Sequence, residues 1–164
     1  MSTPRSPILT LCLATESDTA AFGTWLAGHL VAGDTVLLSG PIGAGKSHLT
    51  RALIRSRLGD PDAEVPSPTF TLVQTYEAPD GVIWHADLYR IGHPDEVGEL
   101  GLDAAFDTAI VVVEWPEKLG HWQPADAILI NLAPQDDGRI ARIDAGPRPG
   151  MLAALHADWP VQDG

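Results

Sequence analysis

Apolar residues fall into short runs separated by polar, glycine- and proline-rich breaks, and the spacing inside each run predicts its element. Ile8 to Leu13 has strand length. Thr15 opens T-E-S-D, in which a hydroxyl and a carboxylate three residues on satisfy the free N–H groups of a helix start. Phe22, Trp25, Leu26, His29 and Leu30 follow at helical spacing, and Gly33 is the expected stop. T-V-L-L-S (35–39) reads as a buried strand, and Leu49, Leu53, Ile54 and Leu58 mark a second helix ending at Gly59. T-F-T-L-V-Q-T-Y (69–76) alternates, E-A-P-D-G turns, and V-I-W-H-A-D (82–87) returns, which predicts a hairpin. Residues 93–107 carry the pattern of one or two short helices. A-I-V-V-V-E-W (109–115) is the continuous run of a strand buried on both faces. A-I-L-I-N-L-A (127–133) and R-I-A-R-I-D-A (139–145) are two last strands around P-Q-D-D-G.

This alternation predicts an α/β domain whose sheet is mixed, because a hairpin sits among parallel strands. A chain of 164 residues suits one domain with a real core. Residues 8–145 are expected to form it, and the Gly/Pro-rich segment 146–164, with a short apolar patch from Met151 to Leu155, to be an appendage. I-L-T-L-C-L-A is expected to be a first strand and not a signal peptide, and no run approaches a membrane span. The single cysteine, Cys12, excludes a disulfide framework and a Cys-rich metal site, which points to a reduced cytoplasm. A formal charge of −12 changes the picture more. Nucleic-acid backbones are held by clustered Lys and Arg, whereas the only lysines here are Lys46 and Lys118 and the densest basic group is Arg51, Arg55 and Arg57. Any service to a nucleic acid is expected to run through a partner protein, without direct nucleic-acid binding.

The chemistry begins at S-G-P-I-G-A-G-K-S-H-L-T (39–50). Gly40, Gly45, Lys46 and Ser47 satisfy G-x-x-x-x-G-K-[ST], with Gly43 as an extra glycine, between a predicted strand and a predicted helix. Glycines let successive N–H groups turn inward around a phosphate, and the helix N-terminus adds its dipole. Lys46 is placed to bridge β- and γ-phosphates, and the Ser47 hydroxyl to join the Mg²⁺ shell. Such a loop indicates a nucleoside triphosphate and leaves its purpose open.

A phosphate loop needs an acid at the end of a neighbouring buried strand. Glu114, ending A-I-V-V-V-E, and Asp87, ending V-I-W-H-A-D, both qualify: one for the metal and one for the attacking water, in either assignment. The blander alternatives are a solvated strand end for Glu114 and a turn former for Asp87. Pro66 and Pro68 hold Ser67 extended and present Thr69 at the start of a strand, where a hydroxyl can sense γ-phosphate and Mg²⁺ or merely begin the ladder. His85 reads as a structural hydrogen-bonder near an acid, Arg90 as an ion-pair partner of Asp87 by default or else a phosphate contact, and Trp115 as core or as an exposed partner anchor. His93, His121 and His156 lack metal-ligand spacing.

Taken together and in order, G-P-I-G-A-G-K-S, S-P-T-F-T-L-V-Q-T-Y, H-A-D-L-Y-R and V-V-V-E-W-P-E-K-L closely resemble the TsaE (YjeE) family, over roughly Leu13 to Asp144. The resemblance implies a P-loop NTPase-like three-layer domain around a mixed, mostly parallel sheet. It implies ATP and Mg²⁺ as cofactors and weak intrinsic hydrolysis stimulated by a complex of TsaD and TsaB. The ATP cycle of such a protein resets that machine in the formation of threonylcarbamoyladenosine on tRNA, without transferring the group itself. Carried over by position, Gly43, Ala44, Gly45, Lys46, Ser47 and His48 hold phosphates, and Ser47 and Glu114 are the Mg²⁺ ligands. Thr69 resembles a switch-I-like threonine, Asp87 a switch-II-like acid, and Thr15 a position near the nucleotide base. ATP over GTP is likewise implied by the resemblance, and no N-K-x-D guanine-reading motif appears. The rival readings are a small-molecule kinase, which a strand and helix ahead of the loop disfavour, and a nucleotide-gated binding module with little turnover.

Overall fold

The computed structural model describes residues 7–163. The elements run β1 (Leu9–Leu13), α1 (Glu16–Ala27), β2 (Thr35–Ser39), α2 (Lys46–Leu58), β3 (Val73–Ala78), β4 (Gly81–Asp87), α3 (Glu96–Glu99), α4 (Leu102–Thr108) and β5 (Ile110–Glu114). A 3₁₀ segment (Pro116–Trp122), β6 (Ile128–Gln135), β7 (Gly138–Asp144), α5 (Pro149–Asp158) and β8 (Gln162–Asp163) complete it. One sheet carries all eight strands in the order β3-β4-β5-β2-β6-β7-β1-β8.

The uninterrupted apolar runs lie at the centre because both faces of the sheet are covered. Val36 and Leu38 of β2 and Ile110 and Val112 of β5 join the core under α1, α2 and α5. Their neighbours Leu37, Val111 and Val113 join a second core under α3, α4 and the 3₁₀ segment. The result is the expected three-layer α/β domain with a mixed sheet. Parallel pairing is confined to β4-β5-β2-β6, three of the seven ladders, and the four others are antiparallel. The description "mostly parallel" therefore fits only the central strands.

Three local features depart from the sequence reading, each for a visible reason. Helix α1 stops at Ala27, well before Gly33, because Arg57 Nη1 donates to the carbonyls of Ala27 and Leu30 (3.0 and 3.1 Å) and takes over the helix end. Strand β3 starts at Val73, not Thr69: Leu72 is left-handed (φ 67°) and its N–H bonds Pro68 O at 2.7 Å, so a tight turn occupies the preceding residues. The segment expected as an appendage is packed onto the domain. Met151 and Leu155 of α5 are buried in the first core, Trp159 meets Phe22 edge-on at 5.4 Å, and β8 pairs with β1. The capping box at Thr15 is present with both bonds, from Asp18 N–H and to Asp18 Oδ2.

Two glycines permit the approaches that place the phosphate loop. A Cβ on Gly23 would lie 2.4 Å from Leu49 O, so α1 can seat against α2 only with glycine there. Gly40 has φ +139° and would put a Cβ 2.2 Å from Leu132 O on β6. Glycine alone lets the chain leave β2 beside β6 and turn into the loop.

Candidate nucleotide site

Strands β4, β5 and β2 run parallel, so their carboxyl ends meet at one edge, where ligands collect in open α/β sheets. The register pairs Asp87 with Glu114 across β4 and β5, and Leu38 with Glu114 across β2 and β5. The loop follows β2 directly and delivers Lys46 at the start of α2, with Gly43 and Gly45 at positive φ (85° and 98°). A cavity of about 300 Å³ results, lined among others by Gly43, Gly45, Lys46, Ser47, His48, Asp87 and Glu114.

Lys46, Asp87 and Glu114 are 6, 7 and 3 % exposed, a concentration of buried charge that apolar packing does not call for. The Lys46 ammonium donates to Gly40 O at 2.6 Å and rests 3.8 Å from the centre of the Trp115 ring. Burial holds its pKa below the ordinary lysine value, against the opposing pull of Glu114, Asp87 and Glu117. Glu114 Oε2 lies 2.6 Å from His85 Nε2. Asp87 Oδ1 accepts the Tyr89 N–H at 3.0 Å, so this acid forms a turn and faces the cavity as well.

The remaining candidates are placed differently. Ala44 is buried beneath the loop. Thr15 is engaged in capping α1, while its neighbour Glu16 reaches the cavity wall near His48, whose Nε2 is 3.7 Å from Glu16 Oε2. Thr69 is not among the lining residues, and its hydroxyl pairs with Ser67 Oγ at 3.0 Å. Arg90 makes no ion pair among the described residues. Its guanidinium lies 4.5 Å from the Phe70 ring, because the tight turn before β3 brings Phe70 alongside. Trp115 is half-buried, left-handed (φ 59°), and packed between Lys46 and Tyr89.

Sequence reasoning missed Arg139. From β7 it donates to Thr19 Oγ1 at 3.0 Å and lies so close to Gly45 that a Cβ there would come within 2.8 Å of its Nη1. This brings a second cation to the wall formed by Glu16 and His48. Nothing local in R-I-A-R-I-D-A distinguishes it; the seating of β7 between β6 and β1 carries it there.

The donor set suits Mg²⁺ brought by a phosphate chain. Ser47, Asp87 and Glu114 offer hard oxygens to one cavity, and no group of three His, Cys, Asp or Glu among the described residues makes a self-sufficient metal cage. Mg²⁺ keeps waters and substrate phosphates in its shell, so few protein ligands are needed.

A glycine-rich loop after β2, a lysine opening α2 and buried acids at the neighbouring strand ends define a P-loop protein. Residues 13–142 match the family model described as threonylcarbamoyl adenosine biosynthesis protein TsaE, and the chain belongs to that family. It is 38 % identical over 127 residues to the tRNA threonylcarbamoyladenosine biosynthesis protein TsaE of Rickettsia bellii, covering 77 % of this chain and 88 % of the relative. Against the protein of the same name from Haemophilus influenzae it is 40 % identical over 105 residues, 63 % of this chain and 65 % of the relative. The crystal structure of Bacillus subtilis YdiB superposes with a TM-score of 0.74 at 26 % identity, covering 95 % of this chain and 97 % of that one.

Proposed function

We propose that this chain is a cytoplasmic ATPase serving the formation of the threonylcarbamoyl group on the adenosine next to the anticodon of tRNA. It acts by hydrolysing ATP on a TsaD–TsaB complex and does not transfer the group itself. The observation that carries this reading is the meeting of Lys46, Asp87 and Glu114 around one glycine loop, in a chain of the TsaE family.

In this reading the loop N–H groups cradle the β-phosphate, and the Lys46 ammonium leaves Gly40 O for the β- and γ-phosphates. Ser47 and Glu114 would hold Mg²⁺, which would supply positive charge against that gathering on the phosphate oxygens. Asp87 is the second acid: with Oδ1 held by the Tyr89 N–H, its other oxygen orients the attacking water. Thr69 belongs to a loop joined to this acid through the bond from Asp87 N–H to Leu72 O (2.9 Å), which gives γ-phosphate sensing a short mechanical route. The nucleoside is assigned to the wall made by Glu16, His48 and Arg139, with Thr15 next to Glu16 at the start of α1.

Hydrolysis is slow alone because, among the described residues, no glutamine lines the cavity and the arginine that does, Arg139, is engaged with Thr19 and not with either acid, and the TsaD–TsaB complex completes the site. With its charge of −12, the chain meets tRNA only through that complex. Among the described residues no helix is long and apolar enough to cross a membrane. The test is ATP hydrolysis by the full chain with Mg²⁺, alone and with TsaD and TsaB. A low basal rate that rises with the complex supports the reading; a rate that does not respond to it overturns the reading.

A further inference from the structure

Most of the buried polar surface of the sheet is accounted for by the loop, its lysine and its two acids. His85 is not. It lies in β4, 2 % exposed, on the face shared with Ile83 and Asp87, since side chains two residues apart point the same way. Register pairs it with Val112, which makes Glu114 its diagonal neighbour. Its Nε2 lies 2.6 Å from Glu114 Oε2, while its Nδ1 is buried with no hydrogen-bond partner among the described residues.

That asymmetry fixes the tautomer. A proton on Nδ1 would strand a buried donor and leave two acceptors facing each other at 2.6 Å. The proton is therefore on Nε2, and the imidazole donates to the carboxylate. A histidine held only for stability would be expected to use both nitrogens; this one spends its single bond on one oxygen of one acid. No donor among the described residues engages the other oxygen, Oε1, and Glu114 lines the cavity.

We propose that His85 is a positioning residue for the metal: by holding Glu114 Oε2 it fixes the carboxylate so that Oε1 alone is presented to Mg²⁺ beside Ser47. The inference rests on the reading of the cavity as a Mg²⁺–nucleotide site, and it adds a residue that touches neither nucleotide nor metal. Groups that hold metal-binding carboxylates in this way commonly change metal affinity 10- to 100-fold when removed.

The test uses binding, not turnover. Affinity of the full-length chain for a non-hydrolysable ATP analogue is measured with Mg²⁺ and with EDTA, and the ratio gives the contribution of the metal. In His85→Ala that ratio is expected to fall about tenfold or more while the EDTA affinity stays within about twofold of the parent. His85→Gln, whose amide N–H reaches the place of Nε2, is expected to restore most of it. His85→Asn, whose amide N–H falls nearer the place of Nδ1, is expected not to. Should His85→Ala unfold, the Gln and Asn variants decide by themselves. An unchanged ratio in a folded His85→Ala, or equal ratios for Gln and Asn, overturns the proposal. A parent chain whose affinity ignores Mg²⁺ overturns instead the site reading beneath it.

Discussion

Two clusters of charge, one half-buried in the flank and one buried in the centre, are finished to different degrees. In the flank, Arg148 reaches Asp34 with Nη2 and Nε (2.9 and 3.3 Å) and donates through Nη1 to the carbonyls of Asp126 and Ala145. Asp34 spends its second oxygen on the Val31 N–H at 2.9 Å. The pair ties the start of the tail to the turn before β2, with both carboxylate oxygens and all three guanidinium nitrogens engaged. In the centre, Lys46 is parked on a carbonyl and an indole face, and among the described residues Glu114 has one oxygen held and one open and His85 has a nitrogen without a partner. Trp115 adds a left-handed backbone, costly for a bulky aromatic side chain. Bonding is closed in the flank and left open in the centre, where the proposed nucleotide would sit.

That contrast can be broken most forcefully in the flank. Arg148→Met leaves the half-buried Asp34 without its cation and removes the bonds to two carbonyls, and should cost about 3 kcal/mol in urea unfolding, with nucleotide affinity essentially unmoved. The opposite profile is expected at the centre. Lys46→Ala should weaken nucleotide binding about 100-fold by calorimetry, since charge-assisted bonds to phosphate are among the strong ones, yet change folding stability by under about 1 kcal/mol because an ammonium kept from water gives little to the fold. Equal stability losses from the two variants would erase the distinction.

A smaller effect sharpens it through pH. The folded pKa of Lys46 lies below its ordinary value because of burial. Its ammonium, and with it the affinity for phosphate, is therefore lost as pH rises through that lowered value, before an ordinary lysine would titrate. Nucleotide pulls the pKa back up, so binding at alkaline pH takes up a proton, visible as a buffer-dependent heat. An affinity flat up to the range of free lysine would contradict this. The smallest effect concerns Tyr76, whose hydroxyl is buried without a partner among the described residues and whose pKa burial raises. Tyr76→Phe should gain up to about 1 kcal/mol of stability without touching the site, because it removes a polar group the fold does not satisfy.

Much of this architecture is legible in the chain for a physical reason. Strands buried on both faces must be apolar throughout, so T-V-L-L and I-V-V-V announce the centre of the sheet, and a carboxylate ending such a run stands out. The loop is legible because its chemistry dictates glycine, lysine and a hydroxyl at fixed spacing. What is not legible depends on partners distant in sequence. Arg57 shortens α1 from thirty residues away, a left-handed Leu72 delays β3, and Trp159 folds the tail back onto Phe22. Arg139 reaches the cavity only because β7 is seated between β6 and β1. Period-two alternation does place His85 and Asp87 on one face, but the meeting of His85 with Glu114 needs the β4–β5 register, which no local pattern encodes.

In the proposed function, ATP hydrolysed at this site resets a partner complex between rounds of modification. This is tested most directly by counting threonylcarbamoyladenosine formed on tRNA per TsaD–TsaB complex, with ATP, in the presence and absence of this chain. The account predicts yields well above one per complex with the parent chain, and a return to about one without it or with Glu114→Ala. Multiple turnovers that proceed equally well without the chain, or with Glu114→Ala in its place, would contradict the account.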